Sequence, residues 1–262
     1  MLDYLTAFVL VFSHDTILIP LIVLGYIWLD RAIFYHATCL LLLSMLVNPA
    51  LKVTFKVPLL PHLGGGYAFP SGHMQSATVF YGWIAYKTPC WMVRTMILAL
   101  LIGIGFGLVH LGFHRVEDIA AAVFVGIALI ALYCWVKRLC GNKCSVLLIA
   151  IATALLFYIQ AKGHQITDTN WLAYFALIGF ILSSHFNPSY SYASDQTKRM
   201  QQKLLATAIC LGSVFLIRYG FQQLTIHAPQ LPNTIIEAQW LAIGYIIPFS
   251  ITLSLKWIRS GR

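Results

Sequence analysis

Long apolar runs alternate with short polar connections along the whole chain. Nine runs read as membrane-crossing helices, near residues 16–29, 33–47, 73–86, 95–112, 118–136, 146–161, 170–185, 204–219 and 237–255. Several fall short of the roughly 20 residues a span needs, so their polar ends must continue into the interface. The run Leu5 to Phe12 is too short to cross alone. The Ser13-His14-Asp15-Thr16 stretch after it is a helix-capping break, which makes the first run an interfacial helix. One long first helix from 4 to 29 is the alternative, and both versions leave the parity after residue 30 unchanged. Two connections stand out by their polar residues: one from Asn48 to Gly72, long for this chain, and one around the stretch GLVHLGFHRVED.

Composition agrees with the pattern. With 60% hydrophobic and 10% charged residues and a mean hydropathy of +0.80, the chain has too little polar surface to coat a soluble globule. The formal charge of +9 would suggest nucleic acid in a soluble protein. Here the basic residues punctuate apolar runs, which is what orientation in a bilayer requires, so no nucleic-acid partner is expected. If nine helices alternate, Arg31, Lys87, Arg94, Lys137, Arg138, Lys143, Lys198, Arg199, Lys203, Lys256, Arg259 and Arg262 share one side, twelve of the seventeen. Lys52, Lys56, Arg115, Lys162 and Arg218 take the other. The twelve-residue side is therefore expected in the cytoplasm, together with the C-terminus. The six cysteines lie mainly in or beside apolar runs, which argues against a disulfide framework. Cys140 and Cys144 lack the second pair or nearby histidine that a metal site needs. Asp3 opens the chain and no basic stretch precedes Leu5, so no cleavable signal is expected.

The two polar connections carry the candidate chemistry, and each ends at a helix start. In Pro70-Ser71-Gly72-His73, Pro70 presets the backbone, Ser71 caps, and Gly72 permits close approach to the first free amides, an arrangement that favours an anion such as phosphate. His73 stands at its edge. In the second connection His114 and Asp118 are four apart, so one helical turn lets the carboxylate hold an imidazole nitrogen and raise its basicity. That is a nucleophile with its orienting group. His110 precedes His114 by one turn and would line the same pocket if that stretch is helical. Lys52 and Lys56 have a plainer reading as snorkelling interface anchors. His62, His164, His185 and His227 read as residues of polar connections, Gly64-Gly65-Gly66 as a flexible loop, and Gly103, Gly105, Gly107, Gly112 and Gly126 as close helix packing.

These residues resemble the type 2 phosphatidic acid phosphatase superfamily of integral lipid phosphatases and phosphotransferases. Its pattern is Lys followed seven residues later by Arg-Pro, then Pro-Ser-Gly-His, then Ser-Arg, five residues, His, three residues and Asp. Lys52, Pro70-Ser71-Gly72-His73, His114 and Asp118 match, over roughly residues 48–126. The resemblance implies a six-helix catalytic core in which His114 attacks phosphorus, His73 protonates the leaving oxygen and Asp118 orients His114. It implies no metal and no cofactor. Leu59-Leu60 and Gly107-Leu108 stand where the pattern has Arg-Pro and Ser-Arg, so both phosphate-clamping arginines are absent. Either Lys56, Arg115 or His110 supplies the charge from a new position, or the substrate carries less charge, as a phosphodiester does, or the site is inactive. The sphingomyelin synthase branch is similar in lacking such arginines around a His-His-Asp set.

The fold expected is therefore all-α: a polytopic bundle with a phosphatase-like core in residues 1–140 and further helices of unassigned role in 141–262. The second half carries no paired His, Asp or Glu at helical spacing. Widening a lipid-facing groove, forming a homodimer surface and delivering substrate are its three open uses. Hydrolysis of a lipid phosphate monoester or diphosphate is the first functional reading, with Lys52, Lys56, Ser71, Gly72, His110 and Arg115 as substrate-binding candidates. Transfer of a phospho-headgroup is the second. The third is a non-catalytic lipid binder or transporter, which vanadate would leave unaffected. A cell inner membrane is the expected location, with the site facing the periplasm.

Overall fold

The computed structural model describes residues 1–187, 195–227 and 230–260. Arg262, expected on the cytoplasmic side, lies outside the described residues. Eleven helices account for nearly all of the described chain: α1 (Leu2–Leu10), α2 (Asp15–Trp28), α3 (Arg31–Phe55), α4 (Gly72–Lys87), α5 (Trp91–His110), α6 (Val116–Cys140), α7 (Cys144–Ala161), α8 (Asp168–Phe186), α9 (Gln196–His227), α10 (Asn233–Glu237) and α11 (Gln239–Ser260).

Each of the nine expected segments is helical, but fewer meet the length and apolarity of a span. Among the described residues six helices do, or seven if the bent pair at the N-terminus is one span. Helix α4 has only 16 residues, and α8 carries Asp168, Asn170 and His185 towards its ends. The first 28 residues are not one continuous helix: α1 is a short helix of its own, and the chain breaks where the Ser13-His14-Asp15-Thr16 stretch was expected to break it. Helices α1 and α2 meet at 51° across the break at Val11–His14.

The largest departure from expectation concerns Asn48 and Pro49. An Asn-Pro step reads as the end of a span, yet α3 runs through it to Phe55, with Pro49 inside the helix. Neighbouring helices, hydroxyl side chains and local adjustment of the helix re-satisfy the backbone groups that a proline frees in such helices. Lys52 consequently sits in the last turn of a helix, and the connection to α4 begins at Lys56 rather than at Asn48.

The chain divides into two compact units. The first comprises residues 1–21 and 33–166, the second residues 22–32 and 167–262. The first unit thus extends past the expected limit at residue 140, because α7 joins it: Thr54 and Tyr158 hydroxyls are 2.8 Å apart, Tyr35 and Ser145 hydroxyls 3.2 Å apart, and Ile159 packs on Ala50 and Val53. Its centre is the short α4, whose Phe80 and Trp83 are fully buried. Because α3 to α6 alternate in direction, the end of α3, the start of α4, the end of α5 and the start of α6 share one face of this unit. In the second unit α11 packs against α8 and α9, with α8 and α11 so close that a methyl at Gly179 would clash with the Leu241 carbonyl oxygen. Small residues at such crossings let helices associate in lipid.

Candidate active site

Two helix starts are joined at the shared face. The Ser71 amide donates to the backbone carbonyl of Asp118 (3.2 Å). Ser71 is fully buried. It caps α4, its hydroxyl accepting from the Met74 amide at 3.5 Å and its carbonyl from the Gln75 amide at 3.0 Å. The amides of Gly72 and His73 then belong to the first turn, where helix geometry provides no partner. Across the joint, the Leu108 carbonyl at the end of α5 accepts from both the Phe113 and His114 amides, at 3.0 and 3.1 Å. That closure fixes His114 just before α6.

His114 and Asp118 pair as the spacing requires. Nδ1 of His114 donates to Asp118 Oδ2 at 3.3 Å, and the same oxygen accepts from the Arg115 amide at 3.0 Å. Both side chains are inaccessible, 9% and 5% exposed. With Nδ1 occupied by the carboxylate, Nε2 is left as the imidazole's reacting nitrogen. Burial is the main influence on His114 and lowers its pKa below the ordinary histidine value, aided by the Lys52 charge; the hydrogen bond and charge of Asp118 act in the opposite sense. The ring is thus held neutral and nucleophilic around neutral pH.

Lys52 and His73 complete the set. His73 is the second residue of α4 and is exposed, and its ring lies within electrostatic reach of His114 and Lys52. The other sequence candidates are placed differently. His110 is engaged elsewhere: its Nε2 bonds Asp3 Oδ1 at 2.9 Å and its ring stacks on Phe106. The helix ends at His110, so the two histidines do not share a helical face. Lys56 and Arg115 are exposed in the two connections. Leu108, where the family pattern has a clamping arginine, is buried.

The structure also assigns work to residues that sequence reasoning passed over. Asn48 Nδ2 donates to the Pro70 carbonyl (3.1 Å) and to Gln75 Oε1 (3.0 Å). Gln75 Nε2 in turn donates to the backbone carbonyl (3.2 Å) and hydroxyl (3.0 Å) of Ser44. This fully buried chain ties α3 to the turn that carries Ser71. Space at Gly72 is tight: a methyl there would meet Asn48 Oδ1 at 3.1 Å, and Asn48 would have to shift by a few tenths of an ångström. His62, read from sequence as a plain loop residue, bonds the Gly112 carbonyl at 3.0 Å and so links the two connections. His14 lies against His73, with ring centroids 5.1 Å apart. The available signal was polarity inside apolar runs, at Ser44, Asn48 and Gln75, because such residues are costly in lipid and tend to face partners.

An apolar groove of about 780 Å³ runs beside the cluster between α4, α5 and α6. Met74, Thr78, Gly105, Val116, Ile119 and Ile127 are among its lining. Met74 follows His73 in the chain and Ile119 follows Asp118, so the groove starts next to the polar residues. From Met74 to Tyr86 it follows α4 for about 18 Å.

A buried His-Asp pair joined to a capped helix start, in a helical membrane protein, defines an arrangement suited to handling a phosphoryl group. The family comparison agrees. Residues 33–140 match the model of the PAP2 superfamily, a similarity that points to phosphoester chemistry in general. The matched segment contains every candidate catalytic residue and ends at the last residue of α6. No curated protein and no solved structure matches the chain.

Proposed function

We propose that the protein is an integral membrane phosphatase that hydrolyses a lipid phosphate monoester or diphosphate through a phosphohistidine. The observation that carries this reading is the buried His114–Asp118 pair bonded, through the Asp118 carbonyl, to the Ser71 turn. The substrate phosphoryl group rests on the first amides of α4 and beside Lys52. Nε2 of His114 attacks phosphorus; the N–P bond forms as the bond to the lipid oxygen breaks, and His73 gives that oxygen its proton. Water then attacks the phosphohistidine, losing a proton to His73 as the N–P bond breaks and inorganic phosphate leaves. Asp118 stabilises the imidazolium that forms in the first step. The adjoining groove, lined almost wholly by apolar side chains, supports a substrate with a hydrocarbon chain.

A second reading, transfer of a phospho-headgroup to another lipid, is favoured by one feature: buried Leu108 replaces a clamping cation, which suits a phosphodiester better than a dianion. Incubation of purified protein with lipid monoesters, diphosphates and diesters, following both free phosphate and new lipid products, separates the two. His114→Ala should abolish turnover and the base-stable, acid-labile phosphate adduct. An adduct that persists in His114→Ala would remove His114 from the nucleophile's role.

The charge bias between connections supports placing Ser71, His73 and His114 outside the cytoplasm of an inner membrane. In a cysteine-free background, a cysteine at Gly65 should then react in intact cells with a membrane-impermeant thiol reagent. Protection of Gly65 with labelling near Arg138 would invert the topology.

A further inference from the structure

Both family arginines are absent, yet a phosphoryl group taken from a lipid carries up to two negative charges that something must neutralise. Of the sequence candidates for this task, His110 is engaged with Asp3. What the fold brings to His73 is a residue from an unexpected quarter. His14 belongs to the break between α1 and α2, 59 positions away in the chain. Its ring lies 5.1 Å from that of His73 at an interplanar angle of 34°, and His114 and Lys52 are also within electrostatic reach of His73.

The placement is built rather than incidental. The Tyr81 hydroxyl of α4 donates to the Phe12 carbonyl at 2.8 Å, so the break is anchored to the helix that carries His73. The Ser13 hydroxyl bonds the Leu10 carbonyl at 2.7 Å, and the His14 amide bonds the Val11 carbonyl at 3.0 Å, which closes the turn on itself. Helix α1 is seated on α5 through Val9 against Gly103 and Leu10 against Gly107. These contacts leave His14 exposed on the side of His73. Among the described residues no hydrogen bond joins the two imidazoles, so an oxyanion beside them can receive a donor from each.

We infer that His14 is a substrate-binding residue that donates to the phosphoryl oxygens and takes over, with Lys52, the charge-neutralising task of the missing arginines. The inference rests on the phosphatase reading and extends it to a residue outside the PAP2 segment, which begins at residue 33.

The test uses the full chain in detergent and orthovanadate as the probe, a tetrahedral anion that mimics phosphate, with binding read from the shift in thermal unfolding and inhibition from phosphate release. His14→Ala and His14→Phe should each weaken vanadate binding and raise KM about tenfold, the loss expected for one charge-assisted hydrogen bond, while kcat falls far less. His14→Arg, which keeps a hydrogen-bond donor at this position, should recover most of the affinity. Phe preserves a ring against His73 without a donor, so a His14→Phe protein with wild-type affinity would reduce His14 to packing and overturn the inference. A fall in kcat at unchanged KM would overturn it as well, since His14 would then act through His73. Should the wild-type chain neither bind vanadate nor release phosphate from any lipid tested, the phosphatase reading fails and this inference with it. Wild-type activity with an unaltered His14→Ala removes only His14.

Discussion

Replacing Asn48 by Leu keeps the approximate volume but removes both of its donated bonds. The Pro70 carbonyl and Gln75 Oε1 then lose their partners at a site where Asn48 and Gln75 are 6% and 0% exposed. A buried acceptor left unpaired costs about 1–3 kcal/mol, and bonds between membrane helices fall toward or below the low end of that range. The pair therefore amounts to about 2 kcal/mol, or roughly 4–8 °C in melting temperature for a unit of this size. Tryptophan fluorescence on heating in detergent measures the shift. Asn48→Asp is the sharper comparison: it is isosteric but sets an acceptor against two acceptors, so it should melt below Asn48→Leu. Because the same bonds hold the Ser71 turn, vanadate affinity should fall in both variants at temperatures where they remain folded. If Asn48→Leu melts within about 1 °C of wild type, well inside the shift that one lost bond implies, the buried chain from Ser44 to Pro70 does not hold the turn, and that argument is wrong.

Two further expectations concern pH and helix crossing. The acidic limb of kcat/KM should lie below the ordinary histidine value of about 6.5, because burial holds His114 neutral as pH falls, and Asp118→Asn should move it lower still by removing the influences that raise it; a limb that stays put in Asp118→Asn belongs to the substrate, and one above the ordinary value contradicts the burial argument. Gly179→Ala should destabilise the second unit strongly, since the added methyl meets a backbone carbonyl that cannot rotate away, while Gly212→Ala, with open space around it, should be nearly neutral in the same melting experiment.

Helices were the legible part of the sequence, because an apolar run in a membrane chain has few other ways to satisfy its backbone. Their ends were not. Asn-Pro breaks helices in water, but α3 runs through Pro49 to Phe55, past the expected limit at residue 47. The His114–Asp118 pair was legible for a different reason: both residues lie within one turn, so spacing alone fixes their contact. Lys52 and the Ser71 turn came with the motif. His14, Asn48 and Gln75 came with nothing, since their roles depend on which helix lies alongside, and no local period encodes that. His110 failed by the same token. Its reading assumed a helix that continued, and the chain turns at Leu111 instead.

The joint between the two helix starts is made by main-chain atoms: the Ser71 amide, the Asp118 carbonyl, and the Leu108 carbonyl that receives the Phe113 and His114 amides. Any residue other than proline can supply an amide, and every residue supplies a carbonyl. Scaffold and charge are therefore separable in this molecule. Leucine at 108 fixes His114 as well as arginine would, while giving up a cation. A protein wired in this way can exchange the charged side chains around the cluster without disturbing how the His114 backbone is held.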